Sequence, residues 1–412
     1  MQNLPIHIHN MERRTEIMSI HRSGKHALLL VLLIVALSSA YGETILADST
    51  SRSAVAAAIS SANTGDTVVV PAGTSTWTSQ IQFNKEIYLI GAGIDETVII
   101  YDGTSTSTPS DYVFLISADQ DNPIRISGFT FDGNNEMAGI SISGVAGKCT
   151  KLRIDNNKFT KCTSRAISVR EYVYGVIDHN EFYSNATTDI VFYGDSDEAY
   201  TRPVELGTAN ALYIEDNLFV YETSPLNPGA AHAVASNDGS RYVFRYNTIE
   251  SYVTGAPGSP VDVHGLCSGG NRGSFSYEIY GNTINSNSSG GFYRGMFIRG
   301  GTGVIFDNVM TGIIQHPIHL SNYRSWASFC SFGGGACTEY PCKDQIYGLY
   351  IWNNTHNGSL VTAGIHDEGL VSEHVQEGRD YFHMEKPGYT PYIYPHPLTA
   401  IETLSPKKIR LK

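Results

Sequence analysis

Apolar and polar positions along this chain fall into one recurring phrase: a β-branched or aromatic strand, then Asn, any residue, and an apolar residue. It reads RIDNNKF at 153–159, VIDHNEF at 176–182, YIEDNLF at 213–219, VFRYNTI at 243–249, EIYGNTI at 278–284 and IFDNVM at 305–310. A degenerate copy, RISGFTF, fills 125–131, and LYIWNNT at 349–355 is the last. Aligned on the Asn (Phe129 in the degenerate copy), the copies sit at 129, 157, 180, 217, 247, 282, 308 and 354, in steps of 28, 23, 37, 30, 35, 26 and 46. A short minimum step with variable insertions is what a coil of three short strands and unequal loops requires. One such unit cannot bury its apolar face alone, so the units must stack. The pattern predicts an all-β solenoid, a single-stranded parallel β-helix.

The Asn has a structural explanation. A coil turns sharply between two strands, often through the left-handed region, which Asn tolerates. Stacking then places one Asn about 4.8 Å above the next, within reach of an amide ladder. Asn157, Asn180, Asn217, Asn247, Asn282 and Asn308 are therefore read as turn and ladder residues, with the apolar residue that follows each turned inward.

Ahead of the repeats, SRSAVAAAISSA (51–62) spaces Val55, Ile59 and Ala62 as a helix does, and predicts a cap over the open end of the stack. Earlier still, Arg13, Arg14, Arg22 and Lys25 precede the apolar run Ala27 to Leu37 and the small residues Ser38, Ser39 and Ala40. That is the pattern of a signal peptide, expected to span 1–42 with Met11 or Met18 as alternative starts. The β-helix with its N-terminal cap is then expected over 43–377, and a C-terminal capping segment and tail over 378–412. No later run approaches the roughly 18 apolar residues of a membrane span. The expected product is secreted, extracellular or at the cell surface.

Charge narrows the partners. The chain carries 28 Lys+Arg against 40 Asp+Glu, a net −12. Loss of 1–42 removes four basic and two acidic residues, leaving 24 against 38 and a net −14. Such a chain has no electrostatic footprint for nucleic acid, and it repels a polyanion at long range unless a local basic cleft or cations intervene. Six cysteines in an exported chain imply disulfides. Cys149 and Cys162 bracket one strand and are expected to pair. Cys267, Cys330, Cys337 and Cys342 leave three pairings open, with zinc at the last three as a rival.

The phrase AVAAAISSANTGDTVVVPAGTSTWTSQIQFNKEIYLIGAG, with the N-x-F/I coils after it, strongly resembles the cap and first coils of right-handed parallel β-helix proteins of the pectate-lyase-like superfamily. The resemblance covers roughly residues 50–360. GRDYFHMEKPGYTPYIYPHPL (378–398) resembles the closing segment of a group of exported β-helix proteins from environmental microbes, for which it implies a fold and no particular activity. Val176-Ile177-Asp178-His179 resembles the W-I-D-H phrase of pectate lyases, but the companion R-x-P-x-x-R phrase is not present. The polygalacturonase set (N-T-D, D-D, G-H-G, R-I-K) is not found either. The resemblance implies right-handedness and carries over no catalytic set.

Candidate chemistry concentrates in 231–301. If Val261 and Val263 face the core, alternation puts Asp262 and His264 together on the outer face. Arg272 and Glu278 follow in the same coil, Arg299 comes from the next, and His232 from the one before. These five, Asp262, His264, Arg272, Glu278 and Arg299, are read as one outward catalytic patch, with His232, Tyr277 and Tyr293 as substrate-binding residues and Tyr280 and Phe297 nearby. The patch suits β-elimination on a uronate polysaccharide. Arg299 or Arg272 would hold the C5 carboxylate and His264, oriented by Asp262, would take the C5 proton. Hydrolysis with Asp262 and Glu278 as the carboxylate pair is second. A non-catalytic glycan-binding or structural β-helix competes with both, because a His near an Asp is more often a satisfied surface residue; a phage tailspike is a third option. Asp195, Asp197 and Glu198 could bind Ca²⁺, although short acidic loops are usually solvated. Asn185, Asn287, Asn353 and Asn357 begin N-x-S/T sequons.

Overall fold

The computed structural model describes residues 42–400 and 409–410, apart from 104–111, 137–138, 145–147, 164, 186, 224–230, 254–257, 266–271, 288–289, 322–329, 332–334, 337–339, 342–344, 366–371 and 373–374. The expected leader therefore lies outside the described residues, as do Cys267, Cys337, Cys342 and the side chain of Cys330.

Each repeat contributes one strand to each of three parallel sheets. In one coil these are Cys149–Asp155, Lys158–Thr160 and Ile167–Arg170; in the next, Val173–Asp178, Glu181–Tyr183 and Ile190–Tyr193. Successive coils stack in register to give sheets of thirteen (A), eleven (B) and ten (C) strands. The phrase marks the corner from A to B, and that corner is two residues long in every coil that carries it. The last described strand, Ile409–Arg410, pairs in parallel with Thr44–Leu46 at the opposite edge of sheet A.

The ladder forms as a continuous chain of amides. Asn157 Nδ2 donates to Asn180 Oδ1 at 3.1 Å, and the same bond runs on through Asn217, Asn247, Asn282 and Asn308 to Asn354. Each Oδ1 also accepts the backbone N–H of the preceding ladder Asn. The left-handed backbone lies one residue earlier than the sequence suggested. Asn156, His179, Asp216, Tyr246, Asp307 and Asn353 have φ between 52° and 57°. Exposed or half-buried side chains thus take the strained position, and the ladder Asn is free to point inward and satisfy buried backbone groups.

The apolar residue after each Asn also stacks as expected. Phe131, Phe159, Phe182 and Phe219 lie in register with ring centroids 5.1, 5.1 and 4.7 Å apart. The helix Arg52–Ser61, N-capped by Ser51, buries Val55, Ala58 and Ile59 in the same core.

The outer face of sheet A is covered. Tyr389, Tyr392 and Leu398 pack against Val176, Tyr213, Val243, Tyr280 and Phe306. Arg245, wholly buried, binds Glu215 and donates to the carbonyls of Tyr392 and Ile393 at 2.9 and 3.0 Å. Arg153, paired with Asp178, reaches the carbonyl of Thr399 at 3.1 Å. The C-terminal segment is a strap along one wall.

The Cys149–Cys162 bridge is not formed; both are free, buried thiols. Cys149 opens a sheet A strand and Cys162 follows a sheet B strand, so the intervening corner carries them to different walls. Burial pushes the Cys149 thiol up to about 11. The sequon at Asn185 is also structural. Its side chain is buried, accepts from the Cys162 N–H at 2.8 Å and donates to Asp189 at 2.7 Å.

Asp189 provides a test of the interior. Burial raises its carboxyl to about 7, against the partial opposition of hydrogen bonds from Asn185 and Tyr221. A carboxyl whose folded pKa is raised holds a proton that the unfolded chain has lost. Its stabilisation is complete below about pH 4 and is lost as pH rises through 7. Asp189→Asn is nearly isosteric and keeps both partners. It is expected to be more stable than the parent by about 4 kcal/mol at pH 8, with the difference gone below pH 4. Urea unfolding at the two pH values measures this, and equal gains at both would remove the buried proton from the explanation.

Candidate functional site

Sheet C presents a row of functional side chains on its outer face. Val261 and Val263 are fully buried in the core, so Asp262 between them points outward. It pairs across the sheet with Ala235 on one side and Phe297 on the other. The ladder continues one residue further, through His264 N–H to the Ser236 carbonyl and Arg299 N–H to the Val263 carbonyl, both 3.0 Å. His264 and Arg299 therefore stand side by side. Gly265 lets the chain turn there, since a Cβ would lie 2.4 Å from the Arg299 carbonyl oxygen.

Asp262 points outward yet is only 3% exposed, because its neighbours close over it. Arg299 Nη2 contacts its two oxygens at 2.7 and 2.6 Å, and His232 Nε2 is 3.6 Å away. Burial by itself would raise the carboxyl. Arg299, then His232 and His264, overcome this and hold it at about 2. The His264 imidazole is pushed the other way, to about 4, first by burial and then by Arg299. Its Nδ1 lies 3.2 Å from the Gly265 carbonyl, an oxygen that can only accept. The proton therefore sits on Nδ1, and Nε2 of the neutral ring carries the lone pair. The orienting group is that carbonyl, whereas the sequence had given the role to Asp262, which is committed to Arg299 and His232.

The five-residue patch does not stay together. Glu278 lies on Ser276–Tyr280 in sheet A, a different wall, where it accepts from the Gly207 N–H at 2.7 Å and from the Tyr389 hydroxyl under the strap. A hydrolytic pair of Asp262 and Glu278 is thereby overturned. Arg272 packs 3.4 Å from the Tyr200 ring centre and pairs with Asp197 at 2.7 Å, fixing the helical turn Asp197–Thr201. Tyr277 alternates with Glu278 and so points into the core, fully buried and away from any substrate. Asp195 pairs with Arg202, so two of the three carboxylates read as Ca²⁺ ligands face arginines. Among the described residues no group of three or more His, Cys, Asp or Glu is placed to hold a metal ion.

Three residues missed in the sequence extend the row. Arg294 stacks on Phe297 and on the exposed Tyr293 at 3.8 and 4.5 Å, and its Nε donates to His319 Nδ1 at 2.8 Å. His316 pairs with Arg294 in the sheet and meets the Tyr293 ring edge-on at 5.1 Å. The signal was partial: YRGMFIR and QHPIHL bring Arg and His to adjacent strands, but at spacings of five and three, which simple alternation would divide between the two faces. Among the described residues, an otherwise acidic chain thus gathers two arginines and four histidines on the face that carries Asp262.

A family model described as a right handed beta helix region matches residues 106–259, the stretch where the ladder begins. The chain is a right-handed parallel β-helix. Similar solved structures include an alginate lyase from Paenibacillus sp. str. FPU-7, at 12% identity over 76% of this chain and 87% of that one, TM-score 0.39. A DFA-IIIase from Arthrobacter chlorophenolicus A6 shows 11% identity over 76% and 82%, TM-score 0.38. A pectin methylesterase in complex with a hexasaccharide shows 12% identity over 86% and 99%, TM-score 0.41. Scores this low carry no residue correspondence, and the site of this β-helix is read from its own geometry. No curated protein matches it in sequence.

Proposed function

We propose that the protein is an exported carbohydrate-active enzyme that cleaves an acidic polysaccharide by β-elimination on the outer face of sheet C. The observation that carries this reading is the neutral His264 standing beside Arg299, one strand from the Arg294–His319 pair. A base must be unprotonated to act, and burial together with Arg299 keeps this imidazole so at neutral pH. In the reaction, His264 Nε2 takes the C5 proton of a uronate residue. The released electron pair forms the C4–C5 double bond, the C4–oxygen bond breaks, and the departing oxygen takes a proton from water. Arg299, oriented by Asp262, stabilises the charge that develops on the substrate carboxylate. Tyr293 offers an exposed ring for a sugar to stack on.

Incubation with a panel of uronate polymers, followed by the ultraviolet absorbance of unsaturated products, tests the reading. His264→Ala is expected to lower kcat roughly 100- to 10,000-fold, while folding stability stays within about 1 kcal/mol of the parent. The acid limb of kcat/KM should lie near pH 4, below that of an ordinary histidine. An unchanged kcat in the variant would remove His264 from the chemistry. A non-catalytic glycan-binding β-helix is the second reading, favoured by the closeness of the Asp262–Arg299 pair. Binding of a uronate polymer with no product would establish it instead.

A further inference from the structure

We infer that Arg165, Arg170 and Tyr193 form a second, remote subsite for an anionic sugar, on the same face of sheet C as the proposed lyase centre and resting on that reading. Arg170 and Tyr193 are direct partners across neighbouring strands of sheet C, and Tyr193 pairs in turn with Asn237. Asn237 stands opposite His264, whose N–H bonds to the Ser236 carbonyl. Arg170, Tyr193, Asn237, His264 and Arg299 are therefore consecutive rungs of one outward row. At about 4.8 Å per rung, Tyr193 lies about 10 Å and Arg170 about 14 Å from His264. A linear polysaccharide engaging the centre and running along the coil axis passes over them.

The chemistry of this end of the row is that of an incomplete site. Both guanidiniums sit over the one Tyr193 ring, Arg170 at 4.5 Å and Arg165 at 5.1 Å from its centre. Two like charges over one ring repel unless an anion lies between them. Several other arginines of the coils have such a partner: Asp155 for Arg125, Asp178 for Arg153, Glu215 for Arg245. Among the described residues no carboxylate hydrogen-bonds Arg165 or Arg170, and Arg165 Nη1 is buried with no hydrogen-bond partner. Asp238 is near enough to Arg170 for the guanidinium to favour its charged form, but it makes no hydrogen bond to it. Glu171 accepts from Ser143 at 2.9 Å, and Asp238 from the backbone of Arg272 at 3.3 Å. A buried guanidinium nitrogen without an acceptor is costly, and a sugar carboxylate or sulfate would satisfy both arginines.

The test uses size-fractionated uronate oligosaccharides, dimers and hexamers from alginate and from polygalacturonate. Binding is measured by calorimetry to the full chain carrying His264→Ala, so that no turnover intrudes. Adding Arg170→Gln, or separately Arg165→Gln, is expected to weaken hexamer binding about tenfold and leave dimer binding unchanged, with thermal unfolding confirming that each variant folds. Unchanged hexamer affinity in both variants overturns the subsite and leaves the lyase reading standing. An equal loss for dimer and hexamer also overturns it, since the effect would then not be remote. If neither His264→Ala nor the parent binds any of the four oligosaccharides, both proposals fall together.

Discussion

Arg245→Met is expected to cost about 3–5 kcal/mol and to release residues 389–399 from the outer face of sheet A. The guanidinium is wholly buried and has four protein partners: Glu215, the Tyr280 hydroxyl, and the carbonyls of Tyr392 and Ile393. Removing it leaves a buried carboxylate without its counter-charge and two strap carbonyls without donors, and breaking one side of such a pair is what carries the large penalty. Glu215 would keep only the His396 N–H, at 2.8 Å. Urea unfolding measures the loss, and limited proteolysis after the strap aromatics reports its release. Arg245→Met combined with Glu215→Leu should recover much of the stability, because no uncompensated charge remains. If the double variant is as unstable as the single one, the cost lies in lost packing and the electrostatic account is wrong.

Phe182→Ala should cost a similar 3–5 kcal/mol. The ring is stacked between Phe159 and Phe219 at 5.1 and 4.7 Å, with interplanar angles of 9° and 7°. The sheet pairing that fixes the spacing of the coils cannot close up around the hole, so the cavity persists. Phe219→Ala should behave alike, although Ile249 lies in register on its far side. Losses below about 1 kcal/mol at both positions, the scale of a surface change, would contradict the register described here.

The coil architecture was legible because stacking makes each rung repeat the same physical demand. An amide must meet the amide above it, and an apolar side chain the one above that, so the chain writes the same phrase eight times. The site was legible only along a single strand and its neighbours. Alternation placed Asp262 outward with His264, and coil stacking brought Arg299 and His232 beside them. It failed for Glu278 and Arg272 because alternation was carried past the Gly- and Ser-rich stretch after His264, although the copy EIYGNTI already put Glu278 on the strand that precedes the Asn corner. Tyr277 was misjudged for the same reason, since inward and outward exchange once the strand is assigned to sheet A. The strap was also invisible. Its contacts join residues far apart in sequence, such as Arg245 with Tyr392, and no local pattern announces them. The left-handed turn was placed one residue late because Asn tolerates that region, while here the ladder keeps the Asn and its predecessor bends.

The constancy of the Asn corner has a consequence for how such a protein can be altered. That corner is two residues long in every coil that carries the phrase, while the other two vary widely. The passage from sheet B to sheet C runs from Tyr183 to Ile190 in one coil and from Tyr221 to Val234 in the next, and the passage out of sheet C from Arg170 to Val173 in one coil and from Tyr193 to Leu212 in the next. Both elastic corners border sheet C, and the inelastic one lies across the core from it. Segments can therefore be grafted on either side of sheet C to reshape what its outer face admits, without disturbing a single amide of the spine behind it.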